Sequence, residues 1–384
     1  MVVKKKLLVA PLNWGLGHAT RCIPLIDALK QEGYTVIIAS DGGALELLKK
    51  EFPDLLAIQL PSYNISYSKK GSHFKGKMLA SGPKILKAIK AEHKILDTLI
   101  ETHGIDGVIS DNRLGLYSSK VPTVFMTHQL TVLSGATTWL SSYLHKNFIK
   151  RFDECWVPDY NNENSLSGKL GQQKKEVIPT TYIGPLSRLQ PKTEKRKYKA
   201  IAILSGPEPQ RTLLEEILLR ELRKYNGPVL MVQGLLDGEQ TQTRTGNIEI
   251  INYLTSRELE KAINASEFVI SRSGYTTIMD LACMGKKAYF IPTPGQTEQE
   301  YLALRLKNKG IVPYSNQADF KIKDLAKLSV YKGFDATSKT EDLSLFFGLF
   351  ERKRKLRTHS IFALNIDFLF MRLYNMFHNR KTQP

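Results

Sequence analysis

Residues 268–305 read FVISRSGYTTIMDLACMGKKAYFIPTPGQTEQEYLALR. An apolar run, Phe268–Ser271, stops at the turn Arg272-Ser273-Gly274, and a helical pattern, Thr276–Met284, follows. A second apolar run, Ala288–Pro292, stops at Thr293-Pro294-Gly295, and another helical pattern covers Glu298–Lys309. Short β-rich runs alternating with helical ones predict a parallel sheet covered by helices on both faces. The alternation extends back from this stretch. Strands are predicted at Ala200–Leu204, Pro228–Gln233 and Ile248–Tyr253, with helices at Arg211–Lys224 and Ser256–Ala265. The first half repeats the scheme. Its strands are Leu7–Ala10, Thr35–Ser40, Leu55–Leu60, Gly107–Asp111, Pro122–Thr127 and Glu154–Pro158, with helices at Arg21–Glu32, Ala44–Glu51 and Pro83–His103.

Between the halves, Gly184–Lys199 (GPLSRLQPKTEKRKYK) carries two prolines and a run of bases, the composition of a linker. The expected division is a domain over 1–185, a linker at 186–198, a second domain over 199–345 and a basic amphipathic helical tail at 346–384. The fold class is α/β: two Rossmann-like, doubly wound parallel-sheet domains facing a central cleft. Ligands of such sheets bind at the carboxyl ends of the strands.

Composition narrows the possibilities. The 384 residues carry a formal charge of +18 and are 42% hydrophobic, which excludes wholesale disorder. Three distant cysteines, Cys22, Cys155 and Cys283, argue against a disulfide framework or structural zinc and fit a reducing cytosol. The run Leu7–Leu12 is too short for a secretory signal, and no stretch reaches about 18 apolar residues.

Two strand-to-helix turns are rich in glycine or polar groups: Asn13-Trp14-Gly15-Leu16-Gly17-His18-Ala19-Thr20-Arg21 and Ser205-Gly206-Pro207-Glu208-Pro209-Gln210-Arg211. Glycine lets a ligand approach the backbone, and the following helix offers free N–H groups to an anion. Thr20 replaces the third glycine of a dinucleotide fingerprint, so a nicotinamide site is weakly indicated; there is no P-loop.

The ordered pattern strand, S-R-x-G, x-T-x-x-[E/D], strand, P-x-P and an acid/Gln helix start resembles the carboxy-terminal half of the MurG-type lipid-II glycosyltransferases, a family 28 type with the GT-B fold, and their relatives. The G-x-G-H after the first strand and the strand–SGP turn at Leu204–Pro207 agree, and N-W-G-x-G-H-A-T-R is similar to the opening of a less-studied branch. The resemblance covers residues 6–310 in outline. It implies an inverting transfer of a sugar from a nucleotide sugar, in this family a UDP-sugar and first UDP-N-acetylglucosamine, to a lipid-linked or membrane-anchored acceptor. It also implies site roles. Gly15 and Gly17 form the glycine loop, and Ser205 and Gly206 hold the donor diphosphate at the Arg211 helix. Leu254 offers its backbone to uracil, Ser273 and Gly274 belong to the S-R-x-G turn, Asp280 binds ribose, and Gln299 with Glu300 grips the sugar. Asp280 is one methylene shorter than the family's usual glutamate, and Glu208 would repel a phosphate.

The chemistry needs a stabilised leaving diphosphate and a base for the acceptor hydroxyl. The chain contains no D-x-D, and neither a metal nor a cofactor beyond the donor itself is expected. Arg272 either adds charge near the leaving group or holds its turn together. His18, beginning the first helix beyond the glycine turn, is the preferred base; the plainer alternative is a helix cap or phosphate donor. Asp111 is the rival base, or orients His18, or forms a turn. His128, after the fifth strand, is an acceptor contact or a structural histidine. Glu298 and Glu300 read most simply as caps at the start of their helix.

Residues 68–94 hold eight lysines against one acid, with Met78, Leu79, Ile85, Leu86 and Ile89 interleaved. The tail's apolar face and flanking bases fit either a helix packed on the protein itself or one lying in a membrane interface, and with these lysines the second is the makeup of a protein that docks on an anionic membrane surface. The expected location is therefore cytoplasmic, peripheral on the inner face of the membrane. A nucleotide-sugar hydrolase or epimerase on the same fold is the second reading. Nucleic-acid binding is suggested only by the charge, and no RNA- or DNA-binding motif accompanies it.

Overall fold

The computed structural model describes residues 4–63, 82–131, 145–173, 176, 178–206, 208–236, 238–336 and 341–351. Seven parallel strands form the first sheet: β1 (Lys6–Pro11), β2 (Thr35–Ser40), β3 (Leu56–Gln59), β4 (Gly107–Asp111), β5 (Thr123–Met126), β6 (Glu154–Val157) and β7 (Thr180–Tyr182). Their order is β3-β2-β1-β4-β5-β6-β7. The second sheet has β8 (Tyr198–Ile203), β9 (Val229–Val232), β10 (Gln242–Thr245), β11 (Ile248–Ile251), β12 (Ser266–Ser271) and β13 (Lys287–Phe290). Here the order is β10-β11-β9-β8-β12-β13, parallel except for the β10–β11 pair.

Burial on both faces explains the apolar runs. In β1, Leu7 and Val9 enter one core and Leu8 and Ala10 the opposite one. In β8, Ala200 and Ala202 face one layer while Ile201 and Ile203 face the other. The helices α1 (Gly17–Gln31), α2 (Gly42–Glu51) and α3 (Gly82–His103) belong to the first domain. The second domain contributes α4 (Gln210–Leu222), α5 (Ser256–Asn264), α6 (Tyr275–Met284) and α7 (Thr297–Asn308). Each sheet reverses its winding at one point, between β1 and β4 in the first and between β8 and β12 in the second. Crevices open at such points, so the turns after β1, β4, β8 and β12 are where ligands belong.

Two expected boundaries are corrected. The linker segment is not solvated at its start: Leu186 packs into the first domain's core and Leu189 into the second's. The expected tail at 346 begins too late and, as far as residue 351, is not a free helix. Leu343, Phe347 and Phe350 are buried against the first domain, with the short helix α8 (Gly348–Glu351) packed near Trp156. The chain therefore crosses between domains twice, at 184–189 and between 336 and 341. The crossings touch, because a Cβ on Gly184 would meet the Glu341 side chain. The rest of the tail, 352–384, lies outside the described residues.

The returning segment is tightly fitted. A Cβ on Gly107 would lie 2.5 Å from Phe350 and 2.9 Å from Leu7. Gly107→Ala is expected to cost about 1–3 kcal/mol through overpacking, measured by urea denaturation.

The lysine-rich stretch is only partly described, residues 64–81 lying outside. In α3, Lys84, Lys87, Lys90 and Lys94 are exposed. Ile85, Leu86 and Ile89 instead pack toward Leu12, Trp14, Tyr63 and Phe148. In this half the interleaving is helical amphipathicity, and its isoleucines are not free for lipid. No helix among the described residues is long and apolar enough to cross a membrane.

Candidate active site

The turn after β1 delivers α1 to the cleft. Gly15 takes a left-handed φ of 79°, and Gly17 starts the helix against the other domain. The Thr276 hydroxyl, in the first turn of α6, donates to the Gly17 carbonyl at 3.0 Å. A Cβ on Gly17 would come within 3.0 Å of that same oxygen, so glycine permits the approach. Tyr275 donates across the gap to the Pro158 carbonyl at 2.8 Å.

Of the two expected base candidates, His18 keeps 14% of its side chain exposed, while Asp111 at the end of β4 is fully buried. The His18 Nδ1 atom lies 3.2 Å from both Asp111 oxygens. Arg21, one helical turn beyond His18, sets its guanidinium against both, with Nη2 2.9 Å from His18 Nδ1. Its Nε donates to Asp111 Oδ2 at 2.7 Å, and Nη2 donates to Oδ1. Burial alone would raise the Asp111 pKa; the charges of Arg21 and His18 outweigh it and hold the carboxyl at about 2. An enclosed, permanently ionised carboxylate orients its neighbour. The geometry therefore sets Asp111 against His18 as a partner and leaves it no access to an acceptor.

His128 follows β5 and is almost completely buried. Its Nδ1 lies 2.8 Å from Arg21 Nη1, and its Nε2 lies 2.8 Å from Glu298 Oε1. Its ring stacks on Tyr275 at 4.2 Å between centroids. Both nitrogens are engaged within the protein, which corrects the expected acceptor contact: His128 bridges the domains. Glu298, on α7, likewise is more than a cap, since it also receives a hydrogen bond from the Gln129 amide. Burial opposes its ionisation, but His128, with His18 and Arg21, holds it below the usual carboxylate range.

On the donor side, the two segments that the sequence pattern singled out meet. The Ser273 hydroxyl donates to the Gln299 carbonyl at 2.7 Å. Gln299 Oε1 accepts from the Thr293 amide, and Glu300 Oε1 from the Gly295 amide. These side chains brace the loop between β13 and α7. Gly274 caps α6, and Gly206, with φ 101°, passes near the Thr293 hydroxyl. Leu254 follows β11 and packs on the second domain's core.

Arg272 takes the second of its two readings, and two other expectations change. Arg272 is buried and donates to the carbonyls of Ile291, Pro292 and Gln210, so it ties β13 to the start of α4. Burial lowers its pKa to about 9. At the α4 N-terminus expected to hold the diphosphate with Ser205, the Glu208 carboxylate already accepts from the Thr212 amide and from Arg211. Asp280, expected at ribose, faces the interdomain crossing: the Ser187 hydroxyl donates to it at 2.7 Å. Burial raises its pKa to about 6, against the pull of the nearby Arg188.

Sequence reasoning missed Arg21 and the bridging role of Glu298. The first had a signal, because residues three apart share a helix face, as His18 and Arg21 do. The second had none, since its partner lies 170 residues away.

Residues 211–340 match the glycosyltransferase family 28 C-terminal domain. An uncharacterized glycosyltransferase of Methanosarcina acetivorans is 24% identical over 333 residues, covering 79% of this chain and 84% of that protein. The UDP-N-acetylglucosamine–N-acetylmuramyl-(pentapeptide) pyrophosphoryl-undecaprenol N-acetylglucosamine transferase of a Sulfurihydrogenibium species is 21% identical, covering 86% of this chain and 90% of its own. In architecture the chain is similar to the spinosyn rhamnosyltransferase SpnG, with a TM-score of 0.60 and 14% identity over 90% of this chain and 99% of that one. With two parallel-sheet domains meeting at one cleft and the second of them matching the glycosyltransferase family 28 C-terminal domain over residues 211–340, the chain is a glycosyltransferase of the GT-B fold.

Proposed function

We propose that the protein moves a hexose from a UDP-sugar, with UDP-N-acetylglucosamine the first candidate, to a lipid-linked or membrane-anchored acceptor, with inversion and without a metal ion. The observation that carries this reading is the His18–Asp111 pair at the β1/β4 switch point, set against the first turn of α6. His18 takes the acceptor's hydroxyl proton, and the Asp111 carboxylate 3.2 Å from its ring stabilises the imidazolium that results. The freed oxygen attacks the anomeric carbon as the bond to the diphosphate breaks, and the electron pair leaves with the nucleoside diphosphate. Helices α1, α4, α6 and α7 all begin at the cleft-side ends of their strands, and their N-terminal dipoles favour the departing anion. Glu208 weakens this effect at α4, and Glu298 and Glu300 weaken it at α7, so the support falls chiefly to α1 and α6. The relatives that use UDP-N-acetylglucosamine and an undecaprenyl-linked acceptor support both substrate classes. The exposed lysines of α3 support contact with an anionic membrane on the inner face of the cell membrane.

A thermal-shift panel of nucleotides and nucleotide sugars identifies the donor, because a ligand at 100 times its Kd stabilises by about 2.7 kcal/mol. UDP-sugars are expected to raise Tm and other nucleotides to do so less. UDP release that needs a lipid acceptor supports transfer; free sugar without acceptor dependence selects the hydrolase. Glu300→Ala, which frees the Gly295 loop, is expected to lower donor use at least about tenfold, read as kcat/KM for the donor.

A further inference from the structure

Arg21 carries only donors. It therefore cannot accept a proton from His128, and the Nδ1 atom 2.8 Å away must present its lone pair. The neutral ring then carries its proton on Nε2, which donates to Glu298 Oε1 at 2.8 Å. Burial, with the Arg21 charge adding to it, outweighs the attraction of Glu298 and keeps the His128 pKa below its ordinary value, so the ring is neutral at pH 7. The carboxylate that fixes this tautomer comes from the second domain. It arrives only when α7 stands against the first domain, together with the Tyr275 ring on His128 and the Thr276–Gly17 contact.

We propose that Glu298 is a positioning residue of the transfer reaction: by holding the proton on His128 Nε2 it keeps Arg21 aimed at Asp111, and Asp111 in turn orients His18. The proposal rests on the reading of His18 as the base. Domain closure and proton placement become one event. Without the Glu298 carboxylate, the other His128 tautomer would put an N–H against the Arg21 N–H. The guanidinium would then retreat from the point where it also meets His18 Nδ1, 2.9 Å from Nη2. The charged and titratable groups around His18 are Asp111 from β4, Arg21 and Cys22 from α1, His128 after β5 and Glu298 from α7.

The test uses the full chain with ¹⁵N-labelled histidine, comparing wild type, Glu298→Gln and Gln129→Ala. In wild type, His128 is expected to show a protonated Nε2 and an unprotonated Nδ1 at pH 7. Glu298→Gln, which is isosteric, is expected to populate the Nδ1–H form and lower kcat by about tenfold or more, with donor KM moving less than about threefold. Gln129→Ala removes the other hydrogen bond to Glu298 and is expected to leave the tautomer in place. Equal kinetic losses in both variants with an unmoved tautomer would reduce Glu298 to a clamp and overturn the proposal. So would a proton on His128 Nδ1 in wild type, or an effect of Glu298→Gln confined to KM. His18→Ala separates the two readings: if it retained turnover, the base assignment would fall while the His128 tautomer stood.

Discussion

His18→Ala lowers turnover by about 10²–10⁴-fold while donor KM stays within about threefold, the range expected when a general base is removed and the donor pocket is untouched. The reason is geometric. His18 is partly exposed at the head of α1, and its Nδ1 faces a carboxylate that is permanently ionised. The donor-side segments, by contrast, are held by Ser273, Gln299 and Glu300, none of which touches His18 in the hydrogen bonds described. Steady-state kinetics with donor and acceptor varied separately checks it. A loss appearing wholly in donor KM would make His18 a phosphate ligand.

Arg21→Ala is expected to be strongly destabilising. Removing one partner of a buried ion pair costs about 3–5 kcal/mol, because the other charge stays enclosed. Here Asp111 keeps only His18 and a distant Cys22 thiol. The pH dependence gives a signature. A carboxyl whose folded pKa is depressed to about 2 contributes stability above its unfolded value near 3.8 and loses it as pH falls toward 2. The wild-type protein should therefore lose about 2 kcal/mol across that window, and the variant should not. Urea denaturation at pH 7 and near pH 3 checks this. A gap between the two proteins that stays constant over that range would mean that Arg21 acts through packing alone.

The fold was largely legible because strands buried on both faces must be apolar through their centres, and β1, β2, β4 and β12 are. The strands without that signature escaped. Gln242–Thr245 (QTRT) is a polar edge strand paired on one side, and Thr180–Tyr182 is a three-residue edge of the first sheet. Phe347 and Phe350 return to the first domain, the packed one of the two readings open for the tail, because periodicity reports that a face is apolar and not what covers it. At the site, the residue types at strand ends were readable and their partners were not. Asp111 and His18 were singled out, but their connector Arg21 and the cross-domain Glu298 follow only from tertiary structure. Glu208 was read as a hindrance to phosphate; the structure adds that it already caps α4.

The chain passes from one domain to the other twice, and the two passages lie side by side at Gly184 and Glu341. Nicking either tether leaves the halves joined by the other. A first half produced alone would lack the strip that fills the groove beside Trp156, and it would have to receive residues 341–351 as a separate peptide to complete its interior.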